Sequence, residues 1–216
     1  MGYNSRCGNL ADSVFPGPRM HPVLRFVISL GSVLLAGLTA QAKTLTIVTD
    51  FEGPHTPTSI ALMKKEFAGI MKDSGLNVEW LLPQEASEAA VDNLVVVRFK
   101  GKCIFEPVGY LYDERGPLAF TATSKGDVLP FSEVACDQVT SVMRSAMFGG
   151  DYSHADALLG RALARVVAHE VIHILTKSGE HGHEGIARPA FSGRELIEKS
   201  LPLMPEDLKR IQAEHP

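Results

Sequence analysis

The sequence predicts an α+β domain, a small mixed β-sheet that opens with a βαβ unit and packs on one long helix. Three observations predict it. Thr44-Leu45-Thr46-Ile47-Val48-Thr49 alternates at period two, and a segment of helical spacing and then a second strand-like run follow it. Leu94-Val95-Val96-Val97-Arg98-Phe99 is the strongest strand signal in the chain, and two further strand-like runs flank a tight turn after it. Beyond Cys136 the apolar spacing becomes helical, so strands come first and helices last, as in an α+β arrangement.

The elements follow in order. Thr56 offers a helix N-cap and Pro57 suits the first helical position. Ile60, Met63, Phe67, Ile70 and Met71 then mark an apolar face, and Gly75 supplies the stop. Val78 to Leu82 reads as the next strand, parallel to the first because a helix connects them. Leu118–Thr123 and Val128–Val134 flank Ser124-Lys125-Gly126-Asp127, the composition of a hairpin turn. Ser153 and Asp156 suggest a capping box for a helix over Ala155–Thr176, with Lys177 and Gly179 at its end. A last short helix begins after Ser192, with Glu195 completing a second capping box.

The chain has 216 residues, 45% hydrophobic and 21% charged, the balance of a globular protein. Its formal net charge of −4 and the lack of any basic run give no support to nucleic-acid binding. Arg19, His21 and Arg25 precede an uncharged stretch from Phe26 to Ala40, and Ala40-Gln41-Ala42 has the small-x-small pattern of a signal-peptide cleavage site. That stretch, of about 15 residues, is shorter than the ~20 needed to span a bilayer, so no stable membrane span is expected after cleavage. Residues 1–42 are therefore set apart as an N-terminal extension and signal peptide, with Met20 as an alternative start. Residues 43–216 form a single domain, exported to the periplasm or secreted. Of three cysteines, Cys7 falls in the excluded segment, leaving Cys103 and Cys136 as an even pair suited to a disulfide in an oxidising compartment. No CxxC spacing exists, which argues against a thiolate metal site.

His169-Glu170-Val171-Ile172-His173 is an HExxH motif. Residues four apart on a helix lie on one face about 6 Å apart along the axis, so both imidazoles can reach one ion. Glu170 is turned roughly 100° away, where it can face a water activated by the metal. With zinc, this residue would be the base that takes the proton of that water and returns it to a leaving amine. The surrounding stretch, from Arg165-Val166-Val167-Ala168 to Ile174-Leu175, is nearly apolar all round, so the helix is expected to be buried. Buried histidines need partners, and the competing reading is a pair satisfied by ordinary core hydrogen bonds.

A catalytic zinc site takes three protein ligands and leaves one position open. Glu180-His181-Gly182-His183-Glu184 supplies candidates just past the helix. His181 is chosen for imidazole affinity and reach, with His183 and Glu184 as alternatives. The motif resembles the metzincin clan of zinc peptidases, although Thr176 stands at the clan's glycine position and Gly179 at its third histidine. It is more similar to a group of exported bacterial metzincin-like proteins in which HExxH is followed by seven residues, a histidine, and a Gly-Ile-Met or Gly-Leu-Met step. The corresponding residues here are His169, Glu170, His173, His181 and Gly185-Ile186-Ala187. Phe191-Ser192…Glu195-Leu196, Gly101-Lys102-Cys103 and Pro130–Cys136 also fit that group's style. The resemblance is specific over Arg165–Leu196 and covers little of Lys43–Asn93. Ala187 stands where the related group has methionine, so either Met204 or the apolar packing of Ile186 and Ala187 would support the site.

The resemblance implies a zinc-dependent endopeptidase with Glu170 as catalytic residue, a Zn²⁺ cofactor held by His169, His173 and His181, and a peptide or protein substrate. The alternatives are a zinc-bearing module that binds a peptide without turnover, and a zinc amidase acting on cell-wall peptide. Arg188 reads as a surface arginine or a contact for a substrate carboxylate. Tyr110, Tyr112 and Tyr152 are candidate oxyanion donors. The hairpin around Leu118–Val134 reads as an ordinary sheet strand or as an edge for an extended peptide.

Overall fold

The computed structural model describes residues 43–88, 91, 93–106, 116–147 and 152–215. The proposed leader, Tyr110 and Tyr112 lie outside the described residues. Strand β1 (Lys43–Phe51) leads into helix α1 (Pro57–Met71), which returns to β2 (Leu76–Leu81). The α1 start is as the sequence predicts: Thr56 accepts a hydrogen bond from the Ser59 N–H, Pro57 is the first helical residue, and Gly75 ends the segment in the left-handed region at φ 80°. β2 begins two residues earlier than the apolar pattern suggests, and β1 and β2 pair in parallel from Lys43↔Leu76 onward.

A short helix α2 (Pro83–Ala86) precedes β3 (Leu94–Lys100), and then come β4 (Ala119–Ser124) and β5 (Asp127–Ala135). The five strands are ordered β2-β1-β3-β5-β4, parallel except for the antiparallel pair β4–β5. β4 is thus an edge strand. It is joined to β5 through Lys125 and Gly126, which both have positive φ (53° and 94°) as a two-residue primed hairpin turn requires. Across this hairpin Thr121 faces Ser132 and Thr123 faces Val128, so Ala122 alone opposes Leu129, Pro130 and Phe131. Pro130 has no N–H to donate to a ladder, and this irregularity accommodates it inside a strand that is paired on both sides.

Helices α3 (Cys136–Ser145), α4 (Ala155–Thr176), α5 (Gly193–Ile197) and α6 (Pro205–Glu214) complete the domain. α4 has the bounds that its spacing predicts, but its caps differ. Its N-cap is His154, with no side-chain cap, and Asp156 turns instead toward Thr56, whose hydroxyl lies 3.2 Å from Asp156 Oδ1. At the other end Lys177, and not Gly179, takes the left-handed conformation (φ 49°), and the Lys177 and Ser178 N–H groups bond back into the last turn. The Ser192–Glu195 capping box of α5 forms as expected.

α4 is the axis of the core. Its Leu159, Leu163, Val167 and Val171 are fully buried together with Met63 and Phe67 of α1 and Val95, Val97 and Phe99 of β3. Burial of each such side chain contributes about 1.5–3 kcal/mol relative to exposure. α1 crosses α4 at Gly160, where a Cβ would stand 2.6 Å from the Ser59 carbonyl oxygen. One large charged group lies inside: Arg165 is 0% exposed and donates to the Glu198 carbonyl at 2.7 Å, and also to the Glu195 carbonyl, so α4 holds both ends of the α5 turn. Glu66 of α1 is its nearest carboxylate, at 3.4 Å. Cys103 and Cys136 form the expected disulfide, joining the end of β3 to the start of α3 across 33 positions. On the chain-entropy account a loop of that length is worth about 3–4 kcal/mol. Among the described residues no helix is long and apolar enough to cross a membrane.

Candidate metal centre

His169 and His173 stand one turn apart on α4 and are 8% exposed each. Each ring is fixed through Nδ1. His169 Nδ1 lies 2.9 Å from the Ile186 carbonyl oxygen and His173 Nδ1 lies 2.7 Å from the Ser178 carbonyl oxygen. A carbonyl can only accept, so each Nδ1 carries the proton and each Nε2 presents a lone pair. The two Nε2 atoms are 3.1 Å apart and face one another. Two opposed lone pairs repel unless a cation lies between them. A proton is a poor candidate, because burial pushes the His169 imidazole down to about 4.

His181 completes the group. Its ring lies 5.2 Å from that of His169 and 4.8 Å from that of His173, and one nitrogen from each of the three falls within 4.8 Å of the others. Burial lowers the His181 pKa as well, although this residue is exposed on the rim. Two nitrogens bound tetrahedrally to one ion at about 2.0–2.1 Å stand roughly 3.3 Å apart, close to the spacing of the α4 pair. The three histidines can therefore hold a metal ion. Neutral imidazole suits zinc and several of its first-row neighbours alike, so the donor set leaves the choice among them open.

Local sequence explains how His181 comes back to the helix. Lys177 reverses the chain in the left-handed conformation. The Ser178 N–H then bonds the His173 carbonyl at 3.1 Å while the Ser178 carbonyl holds the His173 ring. The Gly182 N–H donates to the Ala187 carbonyl at 2.8 Å and the Ile186 N–H donates to the Pro202 carbonyl at 2.9 Å, which ties down the segment that orients His169. Met204 packs against Gly185, and the carbonyl of Ile186 in the Gly185–Ala187 turn holds His169. His183 and Glu184 do not join the three histidines. They line a separate cavity with Asp207 and Arg210.

Glu170 is 6% exposed, and its Oε2 accepts a hydrogen bond from the Thr121 hydroxyl of β4 at 2.6 Å. Burial raises its pKa, and the Thr121 bond and the nearby His173 oppose that rise. The histidines and Glu170 line a cleft of about 470 Å³ between edge strand β4 and the Pro189-Ala190-Phe191 segment. Leu118, Val128, Val142 and Val166 make much of its wall apolar. Phe191 meets His169 edge-on at 5.5 Å between ring centroids. Arg188 pairs with Glu195 at the start of α5, and Tyr152 packs against Phe105 at 5.0 Å.

The sequence reading therefore names His169, Glu170, His173 and His181, which the fold brings together. It misses Thr121, the Ser178 carbonyl and the part of Ile186 that holds His169, its carbonyl, having read Ile186 only as apolar packing. The latter two act through backbone carbonyls, which carry no residue-type signal, and a threonine on a strand is too common to stand out. No family model matches the chain, and no curated protein matches it significantly.

Proposed function

We propose that this protein is a zinc-dependent peptide-bond hydrolase, an endopeptidase acting outside the cytoplasm. The observation that carries the reading is the pair of inward-facing Nε2 lone pairs with His181 and Glu170 beside them, at one wall of an open cleft. Zinc would be held by His169, His173 and His181, and when bound it polarises a carbonyl oxygen and lowers the pKa of water. His183 and Glu184 face another cavity, so among the described residues three histidines are placed to act as ligands, with a side open to the cleft as a catalytic rather than a structural site requires.

The chain's own residues divide the remaining work. Ile186 and Ser178 hold the two helix imidazoles in the tautomer that binds metal. Glu170 accepts a proton from the attacking water and delivers it to the leaving nitrogen, and its burial brings its pKa upward in the direction such a shuttle needs. Among the described residues edge strand β4 pairs only with β5, so its outer edge offers N–H and C=O groups to an extended peptide laid along the cleft. The apolar wall then takes up a side chain and excludes water. The resemblance of Arg165–Leu196 to the metzincin-like proteins points the same way, as the disulfide does for an oxidising compartment.

The test is Glu170→Gln in the purified full chain. The variant is expected to keep its zinc by elemental analysis and to lose cleavage of fluorescein-labelled casein by at least about 100-fold, the contribution typical of a general base. Undiminished cleavage by the variant would remove Glu170 from this role. A wild type that holds zinc and cleaves nothing would favour the binding module.

A further inference from the structure

Glu170 does not orient itself. A glutamate side chain has three rotatable bonds, and around it on α4 stand apolar residues and two histidines whose Nδ1 atoms are bonded to backbone carbonyls. Among the described residues the side-chain group that donates to it comes from a different element: the Thr121 hydroxyl on β4, at 2.6 Å from Oε2 and 3.3 Å from the Glu170 backbone oxygen. A hydrogen bond to a carboxylate at that length is short and charge-assisted, stronger than a neutral one. Threonine is β-branched, so few χ1 rotamers are open to it, and its hydroxyl direction is set by the backbone that carries it.

That backbone is in turn held. Thr121 sits opposite Ser132 in the β4–β5 ladder, and the Ser132 hydroxyl bonds the Phe120 carbonyl at 3.1 Å. The register breaks immediately beyond, at Ala122, where Pro130 prevents regular pairing. Irregularities of this kind next to a site re-aim side chains, and here both Thr121 and Thr123 face the cleft.

We propose that Thr121 is a positioning residue, which anchors Oε2 of Glu170 through its hydroxyl and leaves Oε1 to exchange the proton with the attacking water. The proposal rests on the reading of Glu170 as the base. It assigns to the edge strand a second task besides presenting its edge: the strand that would line the substrate also aims the base.

The test compares Thr121→Val, which keeps the shape and β-branching and removes the hydroxyl, with Thr121→Ser, which keeps the hydroxyl. In zinc-loaded full-length protein with fluorescein-labelled casein, Thr121→Val is expected to lower kcat about 10–100-fold, the usual effect of losing an outer-shell partner, with KM and zinc content unchanged. Thr121→Ser is expected to stay within about threefold of wild type, because the donor survives. A second readout is independent of turnover: the ¹³C resonance of the Glu170 side-chain carboxylate, identified by its loss in Glu170→Gln. It should move in Thr121→Val and stay in place in Thr121→Ser. An unmoved resonance in Thr121→Val overturns the proposal, and so does a wild-type kcat in that variant. A wild type that cleaves no casein would sink the hydrolase reading instead, and the carboxylate resonance would still decide whether Thr121 holds Glu170.

Discussion

The Nε2 atoms of His169 and His173 face each other 3.1 Å apart while each ring's Nδ1 is committed to a backbone carbonyl, of Ile186 and Ser178. This arrangement is what a site able to hold a metal ion requires. A core pair would spend both nitrogens of each ring on protein partners. Here one nitrogen per ring is spent and the other is aimed at a common point, to which His181 also contributes.

The proposal of His181 as third ligand rests on the same geometry. His181→Ala should weaken zinc binding by at least about 10-fold, whereas His183→Ala and Glu184→Ala, which alter the separate cavity, should leave it within about twofold. Competition against a chelating dye measures all three. Equal losses in His181→Ala and His183→Ala would mean that the loop supplies its ligand differently.

Asp207 on α6 gives a prediction of pH dependence. It is 2% exposed, its Oδ2 has no hydrogen-bond partner among the described residues, and burial raises its pKa against the pull of Arg210 at 3.6 Å, with Glu206 reinforcing the rise. A carboxyl whose folded pKa is raised favours the folded state most when protonated. That stability is present below the ordinary aspartate range and is lost as pH rises through the folded pKa. Asp207→Asn should therefore raise the urea midpoint at pH 7, and the gain should shrink toward zero near pH 3. A lower midpoint at pH 7 would show that the Arg210 pair outweighs burial.

Gly160 separates packing from propensity. In an isolated helix Gly→Ala stabilises by roughly 1 kcal/mol. At this crossing a Cβ meets the Ser59 carbonyl oxygen at 2.6 Å and the Leu62 Cβ at 2.8 Å, and neither is the end of a flexible side chain. Gly160→Ala is expected to destabilise by about 1–2 kcal/mol net, since forced overpacking costs more than the propensity returns. Thermal unfolding checks the sign, and a raised Tm would mean that α1 can move away.

What was legible in the sequence is what residue type and spacing encode. The HExxH, the limits of α4, the parallel βαβ opening, the Lys125-Gly126 turn and the Cys103–Cys136 pair all have such signatures. What was hidden depends on tertiary approach. The burial of the helix around Arg165 is legible, but the partners of its guanidinium are not: the carbonyls of Glu195 and Glu198 come to meet it from the α5 turn. Lys177 in place of Gly179 at the α4 terminus shows the same limit. The Ser178 bonds to His173 fix where the chain must reverse, and a left-handed lysine is the local cost of that position. Ile186 holds His169 through its backbone carbonyl, a group that every residue type carries.

The central claim is three histidines on one zinc with an open position, and zinc K-edge X-ray absorption on the purified full chain tests it most directly. The account predicts about one zinc per chain with three imidazoles at about 2.0–2.1 Å and one further light-atom ligand, reduced to two imidazoles in His181→Ala. A fourth protein ligand in a closed shell, fewer than three imidazoles in wild type, or no bound zinc would contradict it.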